Sequence, residues 1–193
     1  QKPREKANNM EKQATTTKKS VTRKGTSEQR MVQAEMLLDV SRKVAAIDSL
    51  DEVLGVLMEM STWELGAERS SLFLNDPQSG ELYSRFAQGN FQREIRIIND
   101  SGIAGSVFQS GKGRIIHDAY KDKSFNSSVD ERTGYTTRNM ICVPIKTVKD
   151  EVIGVAQVLN KKKGRFTKED LALLEAITTQ ASIALQSTQF VEK

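Results

Sequence analysis

From Thr26 onward the apolar positions recur every three or four residues. Met31, Ala34 and Leu38 mark one stripe, and Leu37 is joined by Val44 seven residues later. Thr26-Ser-Glu-Gln29 just ahead fits a capping box, in which a hydroxyl and a Glu or Gln side chain satisfy the free amides of a first helical turn. A second box, Ser49-Leu-Asp-Glu52, opens a stripe through Leu50, Leu54, Leu57, Ser61 and Leu65, and Gly66 is placed to close it. Two helices in series are predicted. At Arg69 the pattern changes: Ser71-Leu-Phe-Leu runs into the turn Asn75-Asp-Pro-Gln-Ser-Gly80, and Leu82, Ser84 and Phe86 then alternate with Tyr83 and Arg85, which reads as a hairpin.

A third strand is expected from Glu94 to Ile98, a short helix between Gly102 and Gly111, and a fourth strand over Arg114 to Ile116. Residues 117–138 are polar and aperiodic. Two apolar runs follow, Met140 to Ile145 and Val152 to Leu159, joined by a five-residue turn and read as a hairpin of buried strands. Thr167-Lys-Glu-Asp170 starts a last helix with Leu174, Ile177, Ala181 and Ala184 on one side. The order predicts an α+β domain: a central antiparallel sheet of six strands, long helices on one face and the polar segment as a lid over the other. Polar residues massed against a sheet need a partner, because uncompensated burial of a hydroxyl or carboxylate costs several kcal/mol. A polar ligand between lid and sheet would supply one.

Charge changes the picture only at the start of the chain. Of 29 basic and 25 acidic residues, eight and two fall in residues 1–26, so the remainder holds 21 basic and 23 acidic. That first segment has almost no apolar residues; it reads as a solvated linker or as a basic arm for a membrane or nucleic-acid surface. With no basic, aromatic-bearing face outside it, no nucleic-acid partner is expected. One cysteine, Cys142, and one histidine, His117, exclude an internal disulfide framework and a zinc site of the usual composition. Cys142 sits in an apolar run and reads as core; His117 beside Asp118 reads as a loop residue. No apolar run is long enough to span a bilayer, so no membrane insertion is expected and the default setting is cytoplasmic. The chain starts at Gln1, so it is expected to be a piece of a longer protein.

The motifs Thr133-Gly-Tyr-Thr-Thr-Arg-Asn, Ile141-Cys-Val-Pro-Ile, Gly102-Ile-Ala-Gly, and Asn160-Lys with Phe166-x-x-x-Asp170 carry a resemblance. From about Asp51 to Phe190 the chain resembles a GAF domain, in particular those that bind cyclic nucleotides in phosphodiesterases and cyanobacterial-type adenylate cyclases. The last pattern is similar to that subset's Asn-Lys-Phe-Asp-Glu signature, with Leu171 in place of the final Glu. Together with the composition and the helical pattern, the expected division is residues 1–26 as a disordered basic tail or linker, 27–48 as a connecting and dimerisation helix, and 49–193 as the GAF domain. The resemblance implies that Ser71, Ala87 and Gln88 lie near the base, that the amides of Ile103 and Ala104 face the cyclic phosphate, and that Asp130, Thr133 and Thr137 belong to the lid near ribose and phosphate, while Gln157 stands where another member has a glutamate. Asn126 falls where some members have an aromatic. Asn160, Lys161, Phe166 and Asp170 would be structural.

The residues support this in kind. Amides at a helix start favour an anion without an arginine clamp. Hydroxyls at Thr133 and Thr137 can converge on one polar group, or can simply cap helices. Arg85, Gln88 and Gln157 can each present groups to a base edge, so the sequence does not choose between cyclic AMP and cyclic GMP. No catalytic nucleophile spacing or phosphate loop is present, and a single thiol cannot serve as both nucleophile and resolving partner. The expectation is a non-catalytic sensor of a larger signalling protein, in the first instance an adenylate or guanylate cyclase, with cyclic nucleotide as allosteric ligand and no cofactor. The alternatives are a phosphodiesterase's regulatory domain, or a dimerising module without cyclic nucleotide. A homodimer through heptad-like stripes on the terminal helices is expected in either case.

Overall fold

The computed structural model describes residues 27–89 and 94–187. The basic tail and Thr26, residues 90–93, and the end beyond 187 with Phe190 lie outside the described residues. The chain divides into two compact units, Gln1–Val40 and Ser41–Lys193, each taken by itself. Helix α1 (residues 27–45) crosses that boundary, and Met31, Val32 and Leu38 on it are exposed.

In the second unit, α2 (Leu50–Glu64) begins where Ser49 Oγ accepts the Glu52 amide at 3.4 Å. It ends as Gly66 takes a left-handed φ of 59°. Its buried side is Val53, Leu54, Leu57, Met58 and Ser61, one position wider than the stripe in the sequence. Strands β1 (Ala67–Asp76) and β2 (Glu81–Ala87) form the expected hairpin. Asp76 Oδ1 accepts the Gln78 amide in the turn between them. β3 is shorter than expected, Arg96–Ile98: at its start the Ser84 amide still donates to the Ile95 carbonyl at 2.8 Å, but the Ile95 amide turns to the Ser84 hydroxyl at 2.9 Å, so only one of the two ladder bonds forms there.

Then come α3 (Gly102–Ser110), β4 (Arg114–Ile116), the lid, β5 (Met140–Lys146), β6 (Val152–Lys161) and α5 (Lys168–Gln186). All pairings are antiparallel, in the order β3-β2-β1-β6-β5-β4. Pro144 is tolerated inside β5 because β4 pairs only with Met140 to Cys142, so at Pro144 that side of β5 has no strand to bond.

The sheet has two apolar faces. α2 and α5 pack on one, with Leu174, Ile177 and Ala181 of α5 fully buried. On the other, Phe73, Leu82, Cys142 and Val155 meet Ile103, Ala104 and Val107 of α3. α5 starts on a complete capping box: Thr167 Oγ1 accepts the Asp170 amide while Asp170 Oδ2 accepts the Thr167 amide. The lid, aperiodic in sequence, contains a 3-10 turn (Ala119–Lys121) and the short helix α4 (Ser128–Thr133).

Candidate functional site

Between lid and sheet lies a cavity of about 110 Å³. On the same measure one water needs roughly 10–15 Å³, so the space suits a molecule of many heavy atoms. Its floor is Ser71 and Phe73 of β1, Ala87 at the end of β2, and Gln157 and Leu159 of β6. The start of α3 forms one wall, and Phe125, Val129, Asp130 and Thr133 form the roof. All ten residues singled out for ligand contact line it: Ser71, Ala87, Gln88, Ile103, Ala104, Asn126, Asp130, Thr133, Thr137 and Gln157.

What each side chain does there follows from strand parity. Ser71 pairs with Gln157 across β1–β6 and with Ala87 across β1–β2, so the three share the cavity face. Among the described residues neither the Ser71 hydroxyl nor the Gln157 amide has a hydrogen-bond partner, and Ser71 is 7% exposed. Gln88 departs from the expectation. Its amide nitrogen pairs with the Ser70 carbonyl, which puts it on Ser70's face, turned to α2. There its Oε1 accepts from the Ser70 amide and the Thr62 hydroxyl, both at 2.8 Å. Only the Gln88 backbone is left for the cavity. Arg85 likewise turns to α2 and pairs with Asp51 at 3.0 Å. Gln157 is the remaining candidate for reading a base edge.

At the wall, Ser101 is the N-cap of α3 and offers no side-chain cap, so the first amides, Ile103 and Ala104 among them, lack an intrahelical acceptor. The Gly102-Ile-Ala-Gly motif has a steric cause. A Cβ on Gly105 would stand 2.6 Å from the Asp100 backbone carbon, so only glycine lets the preceding loop close on the helix.

The roof is braced on one carboxylate. Asp130, 8% exposed, accepts the Thr137 amide and the Tyr120 hydroxyl on Oδ2 and the Thr137 hydroxyl on Oδ1. The Thr133 hydroxyl donates to the Val129 carbonyl at 2.8 Å. The two threonine hydroxyls therefore do not converge on one group as the spacing suggested: each donates to the lid itself, since a carboxylate and a helical carbonyl lie closer. Asn126, just ahead of α4, accepts the Ser128 amide on Oδ1 at 3.0 Å and donates from Nδ2 to Ser101 Oγ at 3.4 Å. The aromatic on the roof is its neighbour Phe125, whose ring lies 5.0 Å from that of Tyr120.

The lid's far end is tied by Asn160, a buried residue at φ 59°, a conformation asparagine tolerates better than most. Its Oδ1 accepts the Arg138 amide, and its Nδ2 donates to the Thr136 carbonyl and the Tyr135 hydroxyl. The Tyr135 hydroxyl in turn donates to Glu68, which also accepts from Arg138. Burial works against the Glu68 charge, but bonds from Arg138, Tyr135 and Asn160 prevail and hold its pKa below the usual range. Burial and the Glu68 carboxylate push the Tyr135 phenol up. Lys161 Nζ donates to Asp170 Oδ2 at 2.9 Å, and the Lys161 ammonium lies 5.5 Å from the Phe166 ring. None of Asn160, Lys161, Phe166 and Asp170 lines the cavity.

Sequence reasoning passed over Arg69, Phe125, Tyr135 and Met140, which also line it. Cys142 is buried and its thiol is pushed up by burial; His117 is exposed and outside the cavity. Among the described residues, no helix is long and apolar enough to cross a membrane.

Residues 49–185 match the family described as GAF domain. This chain is a GAF-family protein. Over 173 residues it is 35% identical to the "Probable 3',5'-cyclic phosphodiesterase pde-5" of Caenorhabditis elegans, covering 83% of this chain and 24% of that protein. It is 37% identical over 146 residues to the "Dual 3',5'-cyclic-AMP and -GMP phosphodiesterase 11" of Drosophila melanogaster, covering 67% and 10%. The chain thus spans a quarter or less of these relatives. Among solved structures, the GAF domain of a phosphoenolpyruvate-protein phosphotransferase from Coxiella burnetii superposes with a TM-score of 0.72, covering 80% of this chain and 93% of that one at 18% identity; that likeness concerns the fold. The chain is thus a regulatory GAF domain with relatives among cyclic-nucleotide phosphodiesterases.

Proposed function

We propose that this GAF domain binds a cyclic nucleotide and regulates an attached phosphodiesterase. One observation carries the reading: a cavity in which, among the described residues, the Ser71 hydroxyl and the Gln157 side-chain amide have no hydrogen-bond partner, and which the uncapped start of α3 also lines. A purine fits the apolar floor beside a hydroxyl and an amide, and a cyclic phosphate suits amides at a helix start. The phosphodiesterase relatives favour that parent over the cyclase that the sequence alone suggested. Ligand bound only by the lidded form adds about 2.7 kcal/mol to that form at a hundredfold excess over Kd. That bias, passed through the terminal helices in a cytoplasmic homodimer, sets the activity of the attached domain.

Calorimetric titration and thermal shift with cyclic AMP and cyclic GMP test the proposal. Measurable heat and a raised Tm with at least one of them are expected; neither at millimolar concentrations rejects it. A second reading, a dimerising module without nucleotide, draws on the exposed Met31, Val32 and Leu38 of α1 and Ile183 of α5.

A further inference from the structure

Arg69 is the cation on the cavity wall that no motif marked. It lies two residues before Ser71 on β1, opposite Leu159 of β6, and so shares their face. Of the described charged residues lining the cavity, Arg69 and Asp130, only Asp130 has its charge met by hydrogen bonds. Among the described residues no carboxylate lies within ion-pair distance of Arg69. What holds it is the ring of Tyr135, whose centroid lies 4.0 Å from the guanidinium carbon.

That ring is itself fixed, its hydroxyl donating to Glu68 and accepting from Asn160. A guanidinium lying over an aromatic face is oriented at little further entropic cost, and its N–H donors point outward in their own plane. The charge is therefore positioned while its hydrogen-bonding edge is unspent. A partner that accepts two N–H bonds on an anionic group is the chemistry that completes it.

We propose that Arg69 is a binding residue that takes an anionic oxygen pair of the ligand, acting from the β1 wall alongside the α3 amides, with Tyr135 as its positioning residue. The proposal rests on the nucleotide reading for the identity of the anion, and the site is specific for an anionic ligand over the neutral nucleoside with the same base and ribose. The Tyr135 ring stays on the guanidinium face throughout, since the anion needs only the edge. Binding then becomes salt-dependent in a way that helix amides alone do not produce.

The test compares wild type with Arg69→Gln and Arg69→Lys in this chain. Cyclic AMP, cyclic GMP, adenosine and guanosine are titrated at low and high KCl, with circular dichroism and Tm as fold controls. Arg69→Gln is expected to weaken cyclic nucleotide about tenfold or more, the loss of one charge-assisted contact. It should flatten the salt dependence and leave the nucleosides unchanged, with Arg69→Lys recovering part of the affinity. Equal affinity and equal salt dependence in wild type and Arg69→Gln overturn the proposal. Should wild type bind neither nucleotide, the proposed ligand falls separately; the arginine is then read by the Nε resonance of Arg69 during titration with inorganic phosphate and pyrophosphate. Movement of that resonance, absent for Arg85, supports an anion-binding arginine, and no movement overturns it. The same resonance decides the case if both variants fail to fold.

Discussion

At the scale of single residues, the lid's stability is tied to protonation of Glu68. Its folded pKa lies below its unfolded value, so its contribution is fully present above the ordinary glutamate range near 4.3. It is lost as pH falls through the lower folded value. Comparing Tm of wild type and Glu68→Gln across pH is expected to show a gap at neutral pH that closes in the acid range; a gap independent of pH removes Glu68 from the latch. Why the sequence misplaced some side chains is also a residue matter. Gln88 and Ser71 look alike as polar residues at strand positions, yet the backbone bond from Gln88 to Ser70 puts them on opposite faces. Periodicity gives the alternation but not which parity faces the cavity once a strand runs into an irregular end. For the Thr133 and Thr137 hydroxyls the sequence leaves convergence and capping both open: Asp130 and the Val129 carbonyl are the acceptors they meet, and those distances exist only in the folded lid.

Among elements, the join between β6 and α5 gathers three interactions on one residue, Asp170. Asp170 Oδ2 accepts from the Lys161 ammonium and the Thr167 amide, while the Asp170 amide donates to Thr167 Oγ1. Thr167→Ala removes a single capping bond and is expected to cost about 1 kcal/mol in denaturant unfolding. Asp170→Asn costs more, since it also leaves the mostly buried Lys161 ammonium without its counter-charge. Equal costs would mean the ion pair adds nothing to the box. This join was readable beforehand, because a capping box is a local pattern of four residues. The short helix α4 was not: six residues inside a polar stretch have no room to show a period. It is held by contacts of Asn126 and Asp130 within the lid.

For the whole molecule, the homodimer proposed above draws on α1. The apolar residues exposed on α1 fit an association that needs this helix. Sedimentation of the chain with and without residues 1–48 is expected to give a dimer in the first case and a monomer in the second. A dimer in both would place the contact on the sheet-packed helices instead.

By itself the sequence determined the order of the long elements, the six strands and the capping box that opens α5, because periodicity, caps and turns are short-range and printed along the chain; the candidate ligand contacts came from the resemblance to the GAF family. Only the tertiary structure decided which polar groups stay unspent there. Whether Arg69 meets a ring or a carboxylate depends on Tyr135, 66 positions along the chain, folding onto β1, and whether Asp130 faces a ligand or braces the lid depends on how Tyr120 and Thr137 close around it. No local pattern encodes a hydrogen-bond competition between such distant partners.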